Sequence, residues 1–157
     1  MAERKRRVTK LQSNRGKDEG CWLYKEECFE KNLEEIFGYI YLITNKLDGK
    51  IYVGKKQFTH RKKTALSKKA RVGTRKRINI TQVDSGWQSY WGSSKPLLND
   101  IQLLGKENFT REILMFCSNK SQLSYYEVVN QIKYKVLECP SYNGWISCKV
   151  MKNNLIL

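Results

Sequence analysis

The segment from Phe37 to Gly54 constrains the fold most. Phe37-Gly38-Tyr39-Ile40-Tyr41-Leu42-Ile43 is a compact aromatic and β-branched run, and Ile51-Tyr52-Val53-Gly54 is a second. Such runs suit buried strands, because branched and ring side chains pack well on a pleated surface. Asn45-Lys46-Leu47-Asp48-Gly49-Lys50 lies between them, and Asp-Gly supplies the positive backbone angles of a tight turn. Residues 38–54 therefore read as a β-hairpin.

From Lys50 to Ile80 the chain carries twelve Lys or Arg and no Asp or Glu. Apolar residues are scattered there, which predicts a solvated helix or loop, with a basic insertion over about 62–86. Ser94-Lys95-Pro96 opens a helix, Leu97, Ile101 and Leu104 give it one apolar face, and Gly105 stops it. Phe109–Phe116 reads as a third strand. A helix follows from about Lys120 to Leu137, with Leu123, Tyr126, Val129 and Ile132 as its buried stripe and Pro140 beyond its end. Upstream, residues 21–36 have a mixed helical periodicity that predicts a short helix. The expected order is β-β-α-α-β-α: an α+β domain over 37–146 with a three-stranded antiparallel sheet flanked by helices. A basic arm and short helix (1–36) precede it, and a C-terminal tail (147–157) follows.

The 157 residues include 30 Lys and Arg against 15 Asp and Glu, a net charge of +15. A domain that basic repels itself when compact, so its charge suits a polyanionic partner. No apolar run approaches the roughly 18 residues of a transmembrane helix, and Met1-Ala2-Glu3-Arg4-Lys5-Arg6-Arg7 opens no secretory signal. Five dispersed cysteines and a single histidine, His60, make no usual zinc spacing. Reduced thiols in an intracellular, cytoplasmic protein are the expectation.

Gly38-Tyr39-Ile40-Tyr41 and Tyr52-Val53-Gly54 resemble the two motifs of the GIY-YIG nuclease family, which includes homing endonucleases, some restriction enzymes and repair incision subunits. Here Tyr39 stands for the usual first Gly and Val53 for Ile. Downstream, Trp91-Gly92-Ser93-Ser94, Leu98, Gly105-Lys106-Glu107-Asn108-Phe109 and Arg111-Glu112-Ile113-Leu114 resemble phage-encoded members. Tyr126-Glu127 and Tyr142-Asn143 match the family's metal-binding glutamate and terminal asparagine. The resemblance spans about residues 38–145.

It implies a DNA endonuclease of homing or phage-encoded type, acting in the host cytoplasm if phage-encoded. A structure-selective nuclease for branched or repair DNA, and a non-catalytic nucleic-acid-binding protein, are the alternatives. Glu127 would hold Mg²⁺, with Mn²⁺ as substitute, since one protein carboxylate suits an ion that keeps several waters. As a helix glutamate it could equally be a solvated surface charge. Tyr41 would be the general base or would position the attacking water. A phenol with pKa ~10 is a poor base at neutral pH, so its surroundings would have to favour the ionised form. Tyr52 would hold phosphate or water. Core packing is the other role open to both tyrosines.

Arg61 would steady transition-state charge through its fixed fork, with His60 and Lys62 as neighbours able to replace it. His60 could also be another DNA contact. Asn143 would orient the metal shell or a phosphate oxygen, or simply occupy a turn before Gly144. For phosphate contacts the tracks are Arg6, Arg7, Lys55, Lys56, Lys62, Lys63, Lys68, Lys69, Arg71, Arg75, Lys76 and Arg77. Lys68–Arg77, if helical, could enter the major groove. No small-molecule cofactor and no membrane are implied, and a homodimer on DNA is compatible with the reading.

Overall fold

The computed structural model describes residues 20–29 and 36–147. Among these, nine strands and helices follow in order: β1 (Trp22–Tyr24), β2 (Glu27–Cys28), β3 (Gly38–Asn45), β4 (Ile51–Gln57), β5 (Thr59–Ala65), β6 (Ile78–Asp84), α1 (Lys95–Leu104), β7 (Phe109–Cys117) and α2 (Lys120–Lys133). The main sheet runs β2-β1-β7-β3-β4, and β5 and β6 form a separate two-stranded ribbon. Within the main sheet β7-β3-β4 is the expected antiparallel core. Strands β1 and β2 extend it to five, with β1 parallel to β7.

The central strand β3 is buried on both faces, so its alternation sorts the core into two layers. Tyr39, Tyr41 and Ile43 join Trp22, Phe58, Trp87, Trp91, Leu97 and Ile101 on the side covered by α1. Ile40 joins Val53, Cys117, Leu123 and Val136 on the side covered by α2. Helix α1 ends at Gly105 (φ +86°) as expected, with Leu97 and Ile101 buried. Helix α2 stops at Lys133, earlier than Leu137, and of its expected stripe Val129 and Ile132 are exposed. Asn130 and Gln131 are buried instead.

The short helix expected over 21–36 is not formed by the residues described there. Lys25 and Glu26 take positive φ, 51° and 69°, and turn β1 back into β2. Trp22 is 1% exposed, packed edge-on to Tyr39 and Tyr41, and its indole N–H donates to the Trp87 carbonyl at 2.8 Å. Burial of a large ring, worth about 3 kcal/mol, outweighs helix preferences of a few tenths of a kcal/mol per residue. Cys21 and Cys28 are disulfide-bonded across this turn, against the expectation of reduced thiols. Cys117 and Cys139 are free. Cys148 lies outside the described residues, as do Arg6, Arg7 and the rest of the basic arm.

The basic segment after β4 is likewise no helix or simple loop. Seven residue pairs, Thr59↔Asp84 through Ala65↔Ile78, make it a hairpin, with one short 3-10 turn at Lys69–Arg71. A major-groove helix over Lys68–Arg77 is thereby removed.

Both motif glycines mark close approaches. A Cβ on Gly38 would strike the Lys56 carbonyl oxygen, and one on Gly54 would lie 2.5 Å from the Tyr41 hydroxyl. Among the described residues no helix is long and apolar enough to cross a membrane.

Candidate active site

Strand β4 is the edge of the main sheet, and its outer side is closed by the chain after α2. Ile51 bridges to Ser141, and the Tyr142 N–H donates to the Ile51 carbonyl at 2.7 Å. Asn143 then uses both its amide oxygen and its amide nitrogen on one residue. Its Oδ1 accepts from the Val53 N–H at 2.9 Å and its Nδ2 donates to the Val53 carbonyl at 2.8 Å. The side chain thus supplies the pairing that an edge strand otherwise leaves open. Gln131 Nε2, 7% exposed on α2, adds a donor to the same carbonyl at 3.4 Å.

Because β4 is an edge strand, side chains from its two faces meet around its rim. Tyr52 comes from the α1 face, and Lys55, on the face of Val53, meets α2. Together with Ser93, Ser94, Glu127, Gln131, Tyr142 and Asn143 they line an open cavity of about 530 Å³. The Tyr52 hydroxyl and Ser93 Oγ share a hydrogen bond of 3.2 Å. Ser94, read as the cap of α1, instead donates its hydroxyl to the Tyr142 carbonyl at 3.0 Å. Tyr142 in turn donates to Asp100 at 2.8 Å and accepts from Asn45, and burial pushes its phenol up to about 12.

Glu127 projects from α2 into this cavity, and Lys55 Nζ stands 3.0 Å from its Oε2 while donating to Ser124 Oγ at 3.1 Å. Among the described residues it is the only Glu or Asp side chain lining the cavity. No cluster of three or more His, Cys, Asp or Glu among the described residues could hold a metal by itself. One carboxylate with open cavity around it fits a hard cation that keeps water ligands and does not fit a closed, all-protein site.

Tyr41, the expected general base, does not open onto the cavity. It is 1% exposed, with its hydroxyl against Gly54 and its ring 6.0 Å from that of Tyr52. Burial raises its pKa well above the usual phenol value, and the hydrogen bond with Tyr90 and the neighbouring Tyr52 act in the same direction. That is the reverse of what a base needs. Tyr52 is the motif tyrosine at the cavity.

Arg61 and His60 do not line the cavity that Glu127 lines. They line a groove at the root of the ribbon with Phe37, Gln57, Thr59, Gln82 and Lys120. A second groove, holding Lys55, Lys56 and His60, connects it with the cavity. Lys56 is half-buried, its ammonium 4.0 Å from the Tyr90 ring centroid, and burial lowers its pKa. Lys62, Lys63, Lys68, Lys69, Arg71, Arg75, Lys76 and Arg77 are exposed on the ribbon and its tip.

Arg111 has a role that only its place in a motif hinted at beforehand. It is 4% exposed, sandwiched between the Trp22 and Trp91 rings at 4.6 and 4.1 Å. Its guanidinium donates to the carbonyls of Gln88 and Tyr90 at 3.0 and 2.7 Å. The 87–91 turn leading to Ser93 is fixed by these bonds. Desolvation lowers Arg111 to about 10.

Residues 22–146 match a family model described as "Putative endonuclease segE, GIY-YIG domain". No curated protein and no solved structure matches the chain.

Proposed function

The chain belongs to the GIY-YIG endonuclease family, and from that premise we propose that it hydrolyses phosphodiester bonds of DNA with one divalent cation. The observation that carries the reading is the β4-edge cavity, where Glu127 is the sole carboxylate among the described residues and Tyr52, Ser93 and Lys55 stand around it. Glu127 would hold Mg²⁺, or Mn²⁺ in its place, and the bound ion would act as a Lewis acid on the phosphate. The Lys55–Glu127 pair is part-exposed, and such pairs contribute about 1 kcal/mol or less. A cation on Glu127 would take the place of Lys55 there.

With an ion on Glu127, Lys55 would face substrate phosphate and offset its charge. Tyr52 orients the attacking water or a phosphate oxygen through its hydroxyl, in concert with Ser93. Tyr41 acts from below as a positioning residue, holding the Tyr52 ring and filling the space over Gly54. Asn143 positions β4 itself, since both ends of its amide are used on Val53. Arg61 and His60 serve as phosphate contacts on the adjoining groove. The resemblance of residues 91–114 to phage-encoded members supports a homing-type or phage-encoded role.

Incubation with supercoiled plasmid tests the reading. Nicked or linear product with Mg²⁺ or Mn²⁺ and none in EDTA is expected. Product in EDTA would remove the metal, and no product on supercoiled, linear or branched DNA would remove the enzyme.

A further inference from the structure

The ribbon formed by β5 and β6 is built unlike the rest of the domain. Apart from Thr59, all of its strand residues are exposed, so neither face contributes to a core. Its root is nonetheless fixed. Phe58, 1% exposed, is set into the aromatic core between β4 and β5. The Phe58 N–H donates to the Phe37 carbonyl, and its own carbonyl accepts from the Ser85 N–H at 2.9 Å. Ser85 Oγ also donates to the Gln57 carbonyl. A rigidly rooted ribbon with both faces in solvent has no structural work to do on the domain that carries it.

Its composition indicates the occupant. Residues 59–84 hold nine Lys or Arg and a single acid, Asp84. Six of those cations, Lys68, Lys69, Arg71, Arg75, Lys76 and Arg77, are in the tip between the strands, and four of them line one concavity with Thr74. Among the described residues none of the six is ion-paired. Paired residues of an antiparallel ladder share a face and successive residues alternate. One face therefore presents His60 and Val83, Lys62 and Thr81, Thr64 and Asn79; the other presents Arg61 and Gln82, Lys63 and Ile80, Ala65 and Ile78, Thr59 and Asp84. The first has no carboxylate, and all but Val83 can hydrogen-bond. The second carries Asp84, which phosphate repels, and three aliphatic side chains.

We propose that this ribbon is the DNA-reading arm of the enzyme: its Lys62–Thr64–Asn79–Thr81 face enters the major groove of duplex DNA, and the cations of its tip hold the flanking phosphates. Seven residues per strand reach roughly 20 Å, and a major groove about 12 Å wide admits a two-stranded ribbon. Asn and Lys match the acceptor and donor patterns that distinguish adenine and guanine there, and Thr can meet a thymine methyl. The deep, narrow major groove of duplex RNA would exclude the same element. The inference takes DNA as substrate from the nuclease reading but does not depend on cleavage.

The test uses the full chain in EDTA, so that binding is read without cutting. Duplex DNA of randomised sequence is selected on the native protein and on Thr64→Ala/Asn79→Ala/Thr81→Ala, all exposed positions. The native chain should enrich a defined sequence, with its guanine N7 atoms protected from dimethyl sulfate and no displacement by netropsin. The triple variant should lose that preference and bind the enriched sequence no more tightly than random duplex. Arg75→Ala/Lys76→Ala/Arg77→Ala should bind every sequence about tenfold more weakly, with the salt slope reduced by about 0.9 for each phosphate no longer neutralised. Native preference and salt slope in both variants would overturn the proposal. So would netropsin displacement with guanine N7 left reactive, or equally tight ribbon-dependent binding of duplex RNA. No cleavage by the native chain in a separate incubation with Mg²⁺ or Mn²⁺, with these binding results intact, would refute the nuclease reading and leave the ribbon in place.

Discussion

Two tyrosines of the family motifs sit one ring apart and are given opposite environments. Tyr41 is sealed under β4 with its hydroxyl on Gly54 and Tyr90, whereas Tyr52 reaches the cavity and meets Ser93. Their substitutions should therefore separate. Tyr52→Phe is expected to lower single-turnover cleavage about 10²-fold or more, in the range of a missing proton-transfer or positioning group, with little change in stability. Tyr41→Phe should retain at least tenfold more activity than that variant. In urea melts it should lose about 1 kcal/mol, as expected for a buried hydrogen bond. Cleavage abolished by Tyr41→Phe and spared by Tyr52→Phe would return the base to Tyr41. The sequence could not make this distinction, because alternation assigns both tyrosines to one face but does not reveal that β3 is central in the sheet and β4 its edge. The same blindness hid the Lys55–Glu127 pair, whose partners lie on different elements, and the Trp22–Arg111–Trp91 stack.

At the scale of elements, the β1–β2 hairpin is held at its ends by Cys21–Cys28 and at its centre by Trp22. A loop that short gives a chain-entropy contribution of about 2.5 kcal/mol. Cys21→Ser/Cys28→Ser should lower the urea midpoint accordingly, and reductant should move the native chain to the same midpoint while leaving the variant unmoved. An unchanged native midpoint on reduction would contradict the stabilising role. This hairpin was not legible beforehand because its strands are three and two residues long and its sheet partner, β7, lies far along the chain. The β3–β4 hairpin was legible from its local pattern alone, with two packed runs and Asp48-Gly49 between them. Helix α1 was marked at both ends by Ser94, Pro96 and Gly105. The β5–β6 ribbon escaped notice for a physical reason: with both faces solvated, nothing imposes the apolar alternation by which a strand is read.

For the whole molecule, the proposed function divides the work between the charge of +15 and the Glu127 cavity. Lysines and arginines supply salt-sensitive affinity with little chemical specificity, while the β4 edge concentrates the groups that can act on a phosphate. The sheet connects the two, since β4 carries Tyr52 and Lys55 and passes through Phe58 into the ribbon. Binding and cleavage should accordingly be separable. The most direct measurement is single-turnover cleavage of supercoiled plasmid in Mg²⁺ by the native chain and by Glu127→Gln, each at DNA-saturating concentration. The native chain is expected to nick or linearise the plasmid, and Glu127→Gln to bind with comparable affinity yet cut at least about 10²-fold more slowly. Cleavage by Glu127→Gln at the native rate would contradict the proposed function, because a metal held on that carboxylate would then play no part in the reaction.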